Sequence, residues 1–280
     1  MTRPKDLDPS SNPRALLGCE LRHARERVGL SQEALGAPIF VSGSFIGQLE
    51  AGTRRMHLEY ARHFDEVLGM GGFFARNCKA VAKSKYPDHF AEAAEAEAEA
   101  TAIREYATQL IPGLLQTPEY AHAVFCDGRP TATDSEIEEL VAARLERASL
   151  LDEPTTPVLW TILDEALLRR KVGGPAVMAE ALRHIATLGR KRRVIVQVLP
   201  FSAGGHMAMG GSLKLMFFAD AAPLAYLEGF RTGRLEDDPV SVADYELAYD
   251  LLGASALSPR ESLALIESVA EDYAHEEHQP

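Results

Sequence analysis

Residues 31–55 read SQEALGAPIFVSGSFIGQLEAGTRR, and the fold turns on how this stretch is parsed. Ser31 stands where a hydroxyl can cap a helix, and Gln32, Ala34 and Leu35 carry that helix forward. Pro38 removes a backbone donor, so the helix is expected to end near Ala37. FVSGS supplies a turn. Ser42 can then cap a second short helix over GSFIGQLEA, which Gly52 stops. Leu35, Ile39, Val41, Ile46 and Leu49 fall where two short helices must wedge together, with Leu17, Leu21 and Val28 of the preceding segment behind them. The result is two helices around a tight turn. One feature cuts against stability: Gly43 and Gly47 each weaken the second helix by about 1 kcal/mol relative to Ala.

Outward from this stretch, NPRALLGCELRHARERVGL carries apolar residues at 16, 17, 21, 24 and 28, a helical period closed by Gly29. TRRMHLEYARHFDEVLGM gives an amphipathic helix over 57–68, and GGFFARNCKAVAKSK a further helix ending in Lys79, Lys83 and Lys85. YPDH breaks the chain. HFAEAAEAEAEATAIREYATQ, rich in Ala and Glu, reads as an ordered helix in preference to a disordered acidic tract. Thr117 and Pro118 open another helix, and DSEIEELVAARLERASLL and PAVMAEALRHIATLGR are two more. PVLWTILDEALLRR starts as a strand and becomes a short helix. RVIVQVLP, SLKLMFF and PLAYLEGF are β-branched or aromatic runs between turns, hence strands, and RTGRLEDD adds an edge strand. Two helices parted by Ser258-Pro259 end the chain. The expected organisation is a disordered arm (1–13), a mainly α N-terminal helix-turn-helix bundle (14–83), a linker (84–90), an α+β C-terminal domain with a small mostly antiparallel sheet (91–274) and a tail (275–280).

The 280 residues carry a net charge of −12, unevenly spread. Residues 1–85 hold 13 Lys+Arg against 9 Asp+Glu, leaving 16 against 32 in residues 86–280. A small basic module is tied to a large acidic one, which confines any attraction for nucleic acid to the N-terminal part. No apolar run is long enough for a membrane helix, and the polar start MTRPKDLDPSSNPR has no secretory pattern. Cys19, Cys78 and Cys126 are too scattered for a disulfide framework or zinc site and suit a reducing cytoplasm.

In a helix-turn-helix the second helix lies in the major groove and points its N-terminal side chains at base edges. The segment LSQEALGAPIFVSGSFIGQLEAG resembles the xenobiotic-response-element (XRE) and Cro/C1-type repressor family in register over about residues 14–70. That resemblance implies base contacts from Gly43, Ser44 and Gln48, and a backbone contact from Gln32. Ser42, Arg54 and Arg55 add backbone contacts, the two arginines being suited to phosphates. Gln48 can pair with adenine through two hydrogen bonds. The sequence departs from the family at Phe40, where a turn glycine is usual, and at Pro38. One such domain reads few base pairs, so a homodimer on double-stranded DNA is expected.

The blocks QLIPGLLQTPEYAHAV, VAARLERASLL, VIVQVLPFSAGGHMAMGGSLKLM and YLEGF resemble a domain of unknown function that follows this motif in actinomycete antitoxin-like, or WhiJ-type, regulators. The resemblance covers about residues 90–273 and implies regulation, often with a small acidic partner protein, and no cofactor. No catalytic or metal-binding set emerges: Asp164-Glu165 are adjacent carboxylates, His206 lies in a glycine-rich loop between strands, and HEEH at 275–278 is a polar tail. Trp160, His206, Tyr226, Arg192 and Arg193 are the candidates for receiving a partner protein or a small-molecule effector. The expectation is a cytoplasmic DNA-binding regulator that is not an enzyme. The competing class, an enzyme or ligand sensor with an N-terminal DNA tether, requires convergent titratable groups around Asp164, Glu165 and His206.

Overall fold

The computed structural model describes residues 9, 13–78, 88–152, 157–230 and 232–277, which fall into two compact units. Most of the expected arm and linker, Lys79, Lys83, Lys85 and His278 lie outside the described residues.

The first unit comprises Met1–Ala100 with Met216–Ala225 and Leu235–Ala243. Its helices are α1 (Pro13–Arg27), α2 (Gln32–Gly36), α3 (Gly43–Glu50), α4 (Leu58–Leu68), α5 (Phe73–Asn77) and α6 (Asp88–Glu99). Both caps form as the sequence predicts: Ser31 Oγ accepts from Ala34 N–H and Ser42 Oγ from Phe45 N–H, each at 3.0 Å. α2 ends at Gly36, and Pro38 opens a single 3-10 turn over Ala37–Ile39. Phe40 follows at φ 57°, in the left-handed region that a turn glycine would occupy without strain, and the residue is 97% exposed. Leu17, Leu21, Leu35, Phe45, Ile46 and Leu49 are buried in one core with Phe64 and Phe74. Val28 is the exception: it lies beyond the end of α1 and is exposed. Asp65 fixes α5 by accepting from Phe74 and Ala75 N–H at 2.9 and 2.8 Å.

The second unit comprises Thr101–Leu215, Tyr226–Arg234 and Asp244–Pro280. The strands β1 (Ala102–Ala107), β2 (Val158–Asp164), β3 (Val194–Leu199), β4 (Ser212–Phe217), β5 (Leu224–Gly229) and β6 (Thr232–Glu236) form one sheet in the order β3-β2-β1-β4-β5-β6. Its helices are α7 (Pro118–Gly128), α8 (Asp134–Ala148), α9 (Glu165–Arg169), α10 (Pro175–Arg190), most of α11 (Pro239–Ser255) and α12 (Pro259–Glu277). One expectation is corrected. The Ala/Glu-rich helix stops at Glu99, and AIREYA within it is the strand β1, held by parallel pairing with β2 from Ala102↔Val158 to Ala107↔Leu163. Helix propensity is a weak preference that a strand partner on the flank overrides. The sheet is mixed: β2 pairs parallel with both β1 and β3, which is roughly compatible with the expected small, mostly antiparallel sheet. The helices between these strands supply the long crossovers that parallel pairing requires, whereas β4, β5 and β6 follow one another through short turns.

Candidate nucleic-acid interface

The glycines of α3 explain how tightly its two-helix unit closes. A Cβ on Gly43 would stand 3.2 Å from the backbone N of Glu33, and one on Gly47 would stand 3.2 Å from Gln32 Oε1. Both positions face α2, one helical turn apart. The structure therefore places Gly43 against the supporting helix, where its missing side chain permits close approach. Side-chain readout from this position is absent for the same reason.

The C-terminal end of α3 is anchored by Glu50, whose side chain is 0% exposed. Arg25 grips it with two donors, Nε to Oε1 at 2.5 Å and Nη2 to Oε2 at 3.0 Å. Arg22 approaches at 3.7 Å, and Gln32 Nε2 donates to Oε2 at 2.9 Å. The hydrogen bond and charge of Glu50 hold the Arg25 guanidinium above its ordinary pKa, against the opposing effect of burial. Gln32, expected at the DNA backbone, thus spends its amide N–H on this internal carboxylate.

The N-terminal end of α3 is built from Ser42 and Arg54. Arg54 lies over the Phe45 ring at 4.3 Å and reaches Gln48 Oε1 at 3.4 Å. Two acids face it: Asp237 Oδ2 at 3.2 Å from Nη1, and Glu92 Oε2 at 3.8 Å from Nη2. Ser42 Oγ also donates to Asp237 Oδ2, at 3.2 Å. Burial raises the pKa of Asp237 above the usual carboxylate range, outweighing Arg54 and Ser42. Glu92 also bonds His57; burial pushes its pKa up, but His57 and Arg54 hold it low. Ser44 Oγ, Gln48 Nε2 and Arg55 Nε are buried without a hydrogen-bond partner among the described residues. No residue of α3 is exposed, and Gln48 is wholly buried.

Residues 16–72 match a family model described as a helix-turn-helix domain, the span that holds α2, the turn and α3. Residues 90–268, well over half of the chain, match a domain of unknown function, DUF5753. The chain belongs to the DUF5753 family. No curated protein and no solved structure matches it.

Within the DUF5753 region the expected receiving residues are not gathered at one place. Trp160 donates to Gln197 Oε1 at 2.8 Å and meets the Tyr249 ring edge-on. Tyr226 is buried on β5, three strands from β2 and so about 14 Å across the sheet. Arg193 is structural, donating to the carbonyls of Leu150, Leu151 and Pro157, while Arg192 is exposed at φ 56°. His206 does find company. Tyr106 Oη, at the end of β1, donates to Asp164 Oδ2 at 2.9 Å and lies 3.2 Å from His206 Nε2. Burial and the Asp164 hydrogen bond hold the Tyr106 hydroxyl protonated well beyond its ordinary range. Glu165 is directed elsewhere, accepting from Arg169 and from Phe201 N–H. Asp164 Oδ1 caps α9 through Ala166 N–H. No group of three or more His, Cys, Asp or Glu residues suited to a metal occurs among the described residues, and no helix there is long and apolar enough to cross a membrane.

Proposed function

We propose that the protein is a cytoplasmic, sequence-specific transcriptional regulator of the XRE type that binds operator DNA as a homodimer. The observation that carries this reading is the helix-turn-helix match over 16–72, coincident with two serine-capped helices wedged on a buried core. In the bound state Ser42, Arg54 and Arg55 contact phosphates, and Ser44 and Gln48 read bases. Gly43 and Gln32 serve chiefly to hold α2 and α3 together. The DUF5753 region receives the signal, a small acidic partner protein or a small molecule, as in the antitoxin-like WhiJ-type regulators it resembles. Binding of that signal favours one of two states that differ in DNA affinity. Sequencing of genomic fragments retained by the full-length protein tests the reading. A small set of enriched sites sharing a two-fold repeat is expected, and uniform recovery of the genome contradicts sequence-specific regulation.

A second reading has one observation in its favour. Tyr106, Asp164 and His206 converge at the carboxyl ends of parallel strands, where open α/β sheets bind ligands. We assign this cluster to effector binding rather than catalysis, because Asp164 is committed to capping α9 and Glu165 is directed away. His206→Ala should abolish the response to an effector and leave the DNA affinity of the free protein unchanged.

A further inference from the structure

The N-terminal end of α3 is where the proposed function puts a DNA phosphate, and a carboxylate of the chain itself already sits there. Asp237 Oδ2 accepts from Ser42 Oγ and faces Arg54 Nη1, both at 3.2 Å. Ser42 is the cap of α3, so this oxygen also lies at the positive end of the helix dipole. A capping hydroxyl beside a guanidinium is a donor set that suits a phosphate oxygen. A carboxylate oxygen presents the same charge sign and the same acceptor chemistry. Glu92 is a second acid on the same guanidinium. The flank of α3 is closed in this arrangement: none of its residues is exposed, and the polar ends of Ser44 and Gln48 are buried.

We propose that Asp237 is an internal phosphate mimic, occupying the Ser42–Arg54 phosphate site so that DNA binds only after the segment 235–243 has given way. This inference rests on the DNA-binding reading and adds its regulation. The contact is suited to release. Asp237 keeps 18% of its side chain exposed, and the attraction of Arg54 and Ser42 does not fully offset the desolvation of its carboxylate. A phosphodiester approaching the same donors competes with it directly, and anything that draws the segment away raises the fraction of protein competent for DNA.

The test is fluorescence anisotropy of the full-length protein with a labelled mixed-sequence duplex of about three helical turns at low salt. Asp237→Asn keeps the shape and removes the charge. Asp220→Asn, at an exposed position of the same compact unit, removes an equal charge that is not part of the Ser42–Arg54–Asp237 contacts. If the closed form predominates about tenfold, Asp237→Asn tightens binding by about tenfold, Asp220→Asn changes it less than about twofold, and the gain disappears in an Arg54→Ala background. A thermal melt confirms that each variant is folded. Equal affinity of wild type and Asp237→Asn overturns the occlusion and leaves DNA binding standing. An equal gain from Asp220→Asn also overturns it, since net charge alone would then account for the effect. Failure of every variant to bind the duplex removes the DNA-binding reading and this inference together.

Discussion

The two ends of α3 hold the same pair of chemical groups and use them differently. At the C-terminal end Glu50 is wholly buried and held by Arg25, Arg22 and Gln32. At the N-terminal end Asp237 meets Arg54 and Ser42 at 3.2 Å and stays partly open to solvent. A buried charge with several partners cannot lose one without leaving the rest stranded in a low dielectric, whereas a partly solvated contact can exchange its acid for another anion. The first arrangement makes a scaffold, and the second makes a contact that can be traded.

The largest test of that contrast is removal of one partner at each end. Arg25→Ala should cost the helix-turn-helix unit about 3 kcal/mol, read as an earlier urea transition in far-UV circular dichroism. Asp237→Asn should cost less than about 1 kcal/mol in the same assay. Equal losses would mean that both ends are scaffold.

Next come the glycines that face α2. At Gly43 the neighbour is Glu33 backbone, which cannot yield cheaply, so Gly43→Ala should destabilise by about 2 kcal/mol. At Gly47 the neighbour is the Gln32 amide, which can shift, so Gly47→Ala should be neutral or gain up to about 1 kcal/mol of helix propensity. Equal penalties at both positions would show that backbone approach is not what distinguishes them. Phe40→Gly should add about 1 kcal/mol by relieving the left-handed backbone of an exposed residue.

The smallest effect is a pH dependence. His57 titrates above its ordinary range, chiefly because it bonds Glu92, so its contribution is complete below about pH 6.5 and is lost as pH rises through the raised value. Glu92 titrates below its ordinary range and stays charged throughout that window. The ring is 45% exposed, which limits the effect to a fraction of what a buried pair would give. The thermal midpoint should therefore fall modestly between about pH 6.5 and 9 in wild type, and His57→Gln should remove that part of the slope.

Much of the scaffold was legible because it follows local rules. Both serine caps, the early end of α2 at Pro38, the Thr117 cap with Pro118 and the break at Ser258-Pro259 are set by residues within a few positions of one another. β1 was hidden because its preference for a strand comes from β2, more than fifty residues later. The glycines read from sequence as weak spots in a helix; only the position of α2 shows that they set its closest approach. Asp237 carried no signal either, since it meets Ser42 across 195 residues of chain. Gln48 was expected from sequence at the base edges, but its burial depends on packing that no local pattern encodes.

The most direct test of DNA binding through the N-terminal end of α3 is the salt dependence of affinity for a duplex recovered from the genomic selection. Wild type should bind it with a steep inverse slope against log salt. The Arg54→Ala, Arg55→Ala double variant should bind more weakly, with the slope reduced by about 2 for each protomer engaged. An unchanged affinity and slope in the double variant would contradict the placement of DNA at this surface.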